Sequence, residues 1–197
     1  MTSKLSPADV SAAAATLNTT PAKVWAIADV ESAGDGFDGV FPVIRFEPHW
    51  FQKLTKGKYD KSHPRLSHSY AQRKSYAQPA SQAERRRIQF AAAMALDPNA
   101  AIQATSFGLF QMMGFNYRVC GFKSPADFHA AMCRSEGAQL QATVGFIKSL
   151  HLDDELQRGD WAGFAKVYNG PAYADAPGRS ADYDYKLDQA HKRRSAR

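Results

Sequence analysis

Four times in this chain a serine, threonine or aspartate stands directly before a proline: Ser6-Pro7, Thr20-Pro21, Asp97-Pro98 and Ser124-Pro125. Such a pair starts a helix, because the side-chain oxygen accepts from an unpaired first-turn N–H and proline's fixed φ suits the first helical position. Ser81-Gln82-Ala83-Glu84 has the spacing of a capping box, and Pro48 opens a further turn through Leu54. Apolar residues then recur at helical spacing: Val24, Ile27 and Ala28; Ile88, Ala91, Ala92 and Ala95; Leu140, Val144, Ile147 and Leu150; Trp161, Phe164, Val167 and Tyr168. Only VFPVIRF, residues 40–46, is dense in β-branched and aromatic residues, so it and the glycines before it are expected to form a short hairpin or small sheet. The fold class that follows is α+β, mostly helical, with one small antiparallel β element. Residues 55–80, polar and interrupted by prolines, are expected to form a long surface excursion.

Ahead of that β element lies VESAGDGFDG, with a literal G-x-G-x-x-G at Gly34, Gly36 and Gly39. A dinucleotide loop needs a strand before the glycines and a helix N-terminus after them to face the pyrophosphate. Here a helix leads into the glycines and β-type sequence follows, while Asp35 and Asp38 would repel a phosphate. The pattern therefore does not signal a nucleotide site.

Glu31 precedes the glycines and continues the face made by Val24, Ile27 and Ala28. Glutamate is rarely buried without a partner, and a carboxyl against an apolar wall keeps its proton to higher pH, as a general acid requires. The alternative at this point is a last-turn glutamate that tips into solvent.

With 197 residues, 44% hydrophobic and 12% aromatic, the chain can bury one good core, and no composition break divides it. The N-terminus lacks the basic and apolar regions of a cleaved signal, and no apolar run is long enough to span a bilayer. Cys120 and Cys133 lie 13 apart with no histidine at metal-ligand spacing, so they read as structural thiols. His63 and His68 straddle a proline and do not suggest zinc. No metal or other cofactor is expected. The net charge of +6 gathers at residues 53–87 and in a tail of Lys192, Arg193, Arg194 and Arg197. Such charge is usually a solvated face, but it also suits a polyanion: nucleic acid, anionic lipid or an acidic envelope polymer.

Two stretches carry polar groups in apolar settings. In SFGLFQMMG, Gln111 sits among Leu109, Phe110, Met112 and Met113, where an unpaired amide would be costly, so it is expected to face a ligand or partner. In YNGP, Tyr168 and Asn169 follow an apolar helix face, although Asn-Gly is also an ordinary helix stop.

Glu31-Ser32, then GLFQ (108–111), then YNG (168–170), in this order, resembles the lysozyme-like superfamily of goose-type lysozymes and soluble lytic transglycosylases. VESAGDGF, FEPHWF, SFGLFQMMG, SEGAQLQA, DWAGFAKVYNGPAY and YDYKL together are similar to the N-acetylmuramidase domain of bacteriophage endolysins, from about Val24 to Leu187. The resemblance implies a lysozyme-like fold whose β element borders the active site. It implies cleavage of the β-1,4 bond between N-acetylmuramic acid and N-acetylglucosamine, with Glu31 as the proton donor.

By the same resemblance Gln111, Tyr168 and Asn169 are expected to bind the glycan or orient Glu31. Glu47, 16 residues after Glu31, is the first choice for a second carboxylate, ahead of Asp35 and Asp38, which have a turn-forming explanation of their own. Glu47 also has two structural explanations, a pair with Arg45 and a charge at the helix start beside Pro48. A base acting through water implies carboxyls about 6.5 to 9.5 Å apart and inversion at the anomeric carbon. The alternative is a lytic transglycosylase, which works with one acid/base and leaves anhydro-muramyl ends; a non-catalytic wall-binding protein would explain the charge but not Glu31. Residues 1–197 are expected to be a single catalytic domain without a separate wall-binding module, acting as a monomer on peptidoglycan strands, with no nucleic-acid partner. The basic tail can touch anionic envelope components. Endolysins of this kind are made in the host bacterial cytoplasm and reach the periplasmic wall through a holin, in keeping with the missing signal peptide.

Overall fold

The computed structural model describes residues 4–31, 34–75, 82–168 and 182–196. The proline punctuation marks helix starts as expected. α1 (Pro7–Thr16) opens on a capping box in which the Ser6 hydroxyl accepts from the Asp9 N–H and the Asp9 carboxylate accepts from the Ser6 N–H. α2 (Pro21–Glu31) ends on the glutamate singled out above. After it come α3 (Pro48–Leu54), α4 (Gln82–Leu96) and α5 (Pro98–Gln103), the last capped by the Asp97 side chain on the Ala100 N–H. α6 (Pro125–Met132) and α7 (Glu136–Ser149) are capped by Ser124 and Ser135. α8 (Asp153–Arg158) has three acids in its first turn, where the helix dipole favours them, and stops at the left-handed Gly159. α9 (Trp161–Tyr168) and α10 (Tyr183–Ser195) complete the helices.

The β structure is more than the one element expected. β1 (Phe37–Asp38) and β2 (Phe41–Pro42) form a two-residue hairpin across Gly39-Val40, with Asp38 opposite Phe41. β3 (Ile44–Phe46) pairs antiparallel with β4 (Thr105–Phe107), which pairs with β5 (Met112–Met113). SFGLFQMMG is therefore itself a hairpin that completes a sheet begun at Ile44. Its apolar run shows no strand alternation because Thr105, Ser106 and Phe107 are all buried.

Among the described residues, three apolar clusters form the core. Val10, Leu17, Val24, Ile27, Leu140, Val144, Ile147, Phe164 and Leu187 join α1, α2, α7, α9 and α10. Ile44, Phe107, Phe128 and Met132 lie between the sheet and α6, and Phe46, Phe51, Tyr59 and Leu66 gather under α3. Two expectations need correction. The buried side of α4 is Ala93, flanked by Phe90 and Met94, while Ile88, Ala91, Ala92 and Ala95 are exposed. An alanine-rich helix carries almost no amphipathic signal, so the aromatic at Phe90, meeting Phe107 edge-on at 5.6 Å, decides the face. The excursion over residues 55–80 is also not all surface, since Thr55, Tyr59, Leu66, Ser67 and His68 are buried.

Candidate active site

Glu31 sits on the last turn of α2, and α10 packs along that helix. The Tyr183 hydroxyl, at the start of α10, donates a hydrogen bond to Glu31 Oε1. Burial raises the Glu31 carboxyl from its ordinary 4.5 to about 7, with the Tyr183 hydrogen bond pulling the other way. Near neutrality this acid is poised between protonated and ionised, the condition for donating a proton and accepting it back.

Tyr168 closes the same corner. Its ring stacks on Phe164 (5.3 Å) and lies nearly parallel to Tyr183 (6.2 Å), with Phe146 edge-on at 5.6 Å. Burial, and then the negative charge of Glu31, hold its phenol well above the ordinary value, so it stays neutral. Aromatic packing thus supplies the dry wall that lifts the Glu31 carboxyl. Asn169 lies outside the described residues.

A polar bracket on α7 holds the segment that follows α2 and the β4–β5 hairpin together. Glu136 Oε1 accepts from the Gly36 N–H (2.9 Å) and Oε2 from the Leu5 N–H (2.8 Å), with the Lys4 ammonium 3.4 Å away. Gln139 accepts from the Leu109 N–H (2.7 Å) and donates to the Met132 carbonyl (2.9 Å). The loop that follows Glu31 and the tip of the β4–β5 hairpin rest on these two side chains. No side chain fits at either contact: a Cβ on Gly36 would lie 2.5 Å from the Gln139 amide oxygen, and one on Gly108 2.3 Å from its amide carbon. The G-x-G-x-x-G thus has a packing reason at Gly36 and a turn at Gly39, where φ is +63°.

Gln111 belongs to this framework. Its amide nitrogen donates to the carbonyls of Gly108 (2.9 Å) and Val43 (3.3 Å), and its oxygen accepts from the Ser106 hydroxyl (3.0 Å). The partner expected for this amide is the protein's own backbone, at a residue whose φ is +45°.

Glu47 caps the start of α3 without a side-chain cap bond; Arg45 Nε lies 2.6 Å from one carboxylate oxygen and His49 Nδ1 3.7 Å from the other. Both structural explanations weighed for Glu47 are therefore realised. Asp35 is exposed and paired with Lys4 (2.5 Å), and Asp38 is paired with Arg87 (3.2 Å).

Sequence reasoning missed Tyr183, Glu136 and Gln139. Glu136 had a signal, because it continues the Leu140, Val144, Ile147 face as Glu31 continues that of Val24 and Ile27. What separates the two carboxyls is partnership: two backbone N–H groups and an ammonium surround Glu136, whereas burial dominates at Glu31. Among the described residues no group of three or more His, Cys, Asp and Glu could hold a metal ion, and no helix is long and apolar enough to cross a membrane. Both cysteines are free, and burial pushes the Cys120 thiol up to about 12.

A helical lobe, a small antiparallel sheet and a glutamate raised by desolvation at the end of α2 define a lysozyme-like glycoside hydrolase. The N-acetylmuramidase family model matches residues 20–195, and the chain belongs to that family; peptidoglycan is its substrate. Among solved structures the chain is similar to a Burkholderia AP3 phage endolysin, with 33% identity and a TM-score of 0.80 over 98% of this chain and 71% of that one. No curated protein matches.

Proposed function

We propose that Glu31 is the general acid of a phage-type endolysin, protonating the glycosidic oxygen between N-acetylmuramic acid and N-acetylglucosamine. The observation that carries this role is the Glu31 carboxyl itself, half-buried at the end of α2, raised to about 7 and held by the Tyr183 hydroxyl. Before cleavage it presents a proton to the leaving oxygen; afterwards, ionised, it recovers one. Tyr168 faces the sugar beside it, and Gln111 acts by fixing the hairpin that forms the opposite wall. Asn169 completes the substrate-binding set. Glu47 is the second carboxylate, oriented by Arg45 to hold a water against the anomeric carbon.

One catalytic domain accounts for these groups, since α7 contributes both to the helical cluster and to the bracket under the hairpin. The enzyme acts as a monomer, is made in the cytoplasm of an infected bacterium and reaches the wall with holin assistance, where its basic C-terminal turn meets anionic envelope groups.

Glu31→Gln keeps the shape and the acceptor for Tyr183 but has no proton to give, so reducing-end release from sacculi should fall about 10²- to 10⁴-fold in a folded protein. Near-full activity would remove Glu31 from this role. Mass spectrometry of the wild-type digest separates the reactions: hydrolysis leaves reducing muramic acid, transglycosylation leaves anhydro ends. Glu47→Gln should abolish hydrolysis, with the initial product anomer, read by proton NMR, inverted in the wild type. A Glu47→Gln enzyme that keeps its rate and yields anhydro ends would replace the hydrolytic reading with the transglycosylase one.

A further inference from the structure

Beside Glu47, outside the Glu31 corner, four rings stand in a continuous row. His49 lies edge-on to Tyr70 with centroids 5.2 Å apart and 5.7 Å from Trp50, whose ring is 4.7 Å from Phe115. The row brings together three separate elements, α3, the 3-10 turn Tyr70–Ser75 and the 3-10 turn Gly114–Asn116 that follows β5. None of its rings is fully buried, and Tyr70 is 58% exposed. Two exposed cations lie on the row: Arg73 over Tyr70 at 3.9 Å and Lys53 over Trp50 at 4.7 Å. Among the described residues neither makes a salt bridge, while Glu47, the acid beside the row, is paired with Arg45 (2.6 Å).

A surface that keeps half-exposed rings in line and floats cations on their faces is suited to a ligand with apolar faces and carboxylates. Peptidoglycan has both, because the lactyl group of each muramic acid carries a peptide with free carboxylates. Glu47, proposed above as the second carboxylate, adjoins the row through His49, so a strand passing Glu47 would direct its peptides toward these residues.

We propose that the Tyr70–His49–Trp50–Phe115 row is a stem-peptide subsite, with Lys53 and Arg73 taking peptide carboxylates and the rings of Tyr70 and Trp50 packing on the peptide's apolar atoms. This rests on the muramidase reading and on a strand that passes Glu47. The side chains changed in the test are exposed and outside the catalytic set, so their replacement should leave the melting temperature unchanged.

The test measures binding of soluble glycan strands to the Glu31→Gln protein by calorimetry, using strands that carry stem peptides and strands stripped of them by an amidase. Adding Lys53→Gln and Arg73→Gln together should raise Kd about tenfold for stem-bearing strands, the effect of losing two modest charged contacts, and leave Kd for stripped strands unchanged. Tyr70→Ala should act in the same direction, raising Kd for stem-bearing strands and leaving Kd for stripped strands unchanged. Equal weakening on both strands, or none on either, would overturn the proposal. Failure of the muramidase reading looks different: the wild-type enzyme would then release no muramic acid ends from either strand.

Discussion

At the scale of single residues, the proposed chemistry depends on how far the Glu31 carboxyl is kept from water. Burial raises Glu31 to about 7, and the Tyr183 hydroxyl restrains that rise by stabilising the charged form. Tyr183→Phe should therefore move the Glu31 value further up and shift the alkaline limb of the pH–rate profile to higher pH, because the proton-bearing acid persists longer. An unmoved limb in a folded variant would mean that the hydroxyl only packs. The same displacement acts on stability. Between about 4.5 and about 7 the folded protein holds this proton more tightly than the unfolded chain, so stability is fully present below that window and lost as pH rises through it. A rise of that size corresponds to about 3 kcal/mol as an upper figure. Glu31→Gln should be the more stable protein at pH 8, with the advantage shrinking toward pH 4, as chemical denaturation at both pH values would read. The sequence revealed Glu31 because a glutamate on an apolar face is a local contradiction, visible at helical spacing. It did not reveal Tyr183, an ordinary first-turn tyrosine until α10 folds back 152 residues later onto α2.

At the scale of elements, the β1–β2 hairpin and the tip of β4–β5 are held by α7 more than by strand pairing, since β1 and β2 have two residues each. Gln139→Leu keeps the bulk but strips partners from the Leu109 N–H and the Met132 carbonyl, both buried. That should cost about 2–4 kcal/mol, from a penalty of about 1–3 kcal/mol per unsatisfied group, and lower the melting temperature by several degrees. Gly108→Ala should be at least as damaging, because its Cβ would overlap the Gln139 amide and its φ is +74°. A Gly108→Ala protein that melts like the wild type would show that the bracket yields. Helix starts were legible because capping is a local event, complete within four residues. The buried face of α4 and the strands of SFGLFQMMG were not, since each is chosen by what packs against it: Phe107 against Phe90, and Ile44 opposite Phe107.

At the scale of the whole molecule, the last helix ties the two ends of the described chain to the chemistry. Arg194 makes two hydrogen bonds to the Asp29 carboxylate (2.8 and 2.5 Å) and lies 4.5 Å over the Trp25 ring, so part of the basic tail is turned inward onto α2. Arg194→Ala should cost about 1–2 kcal/mol after allowance for partial exposure, and lower the melting temperature by about 2–6 °C. Arg193→Ala, exposed one residue earlier, should change it by less than about 0.5 kcal/mol. Equal effects in thermal melts would return Arg194 to the solvated tail. The sequence alone determined the helical character, the helix starts and Glu31 as an acid out of place, because caps, periodicity and a charged residue on an apolar face are written within a few neighbouring positions. Only the tertiary structure decided that Tyr183 grips that acid, that Glu136 and Gln139 hold the loop beyond it, and that Gln111 spends its amide on the backbone of Val43 and Gly108. Those contacts join residues up to 152 positions apart, and no local pattern encodes which distant surface a side chain will meet.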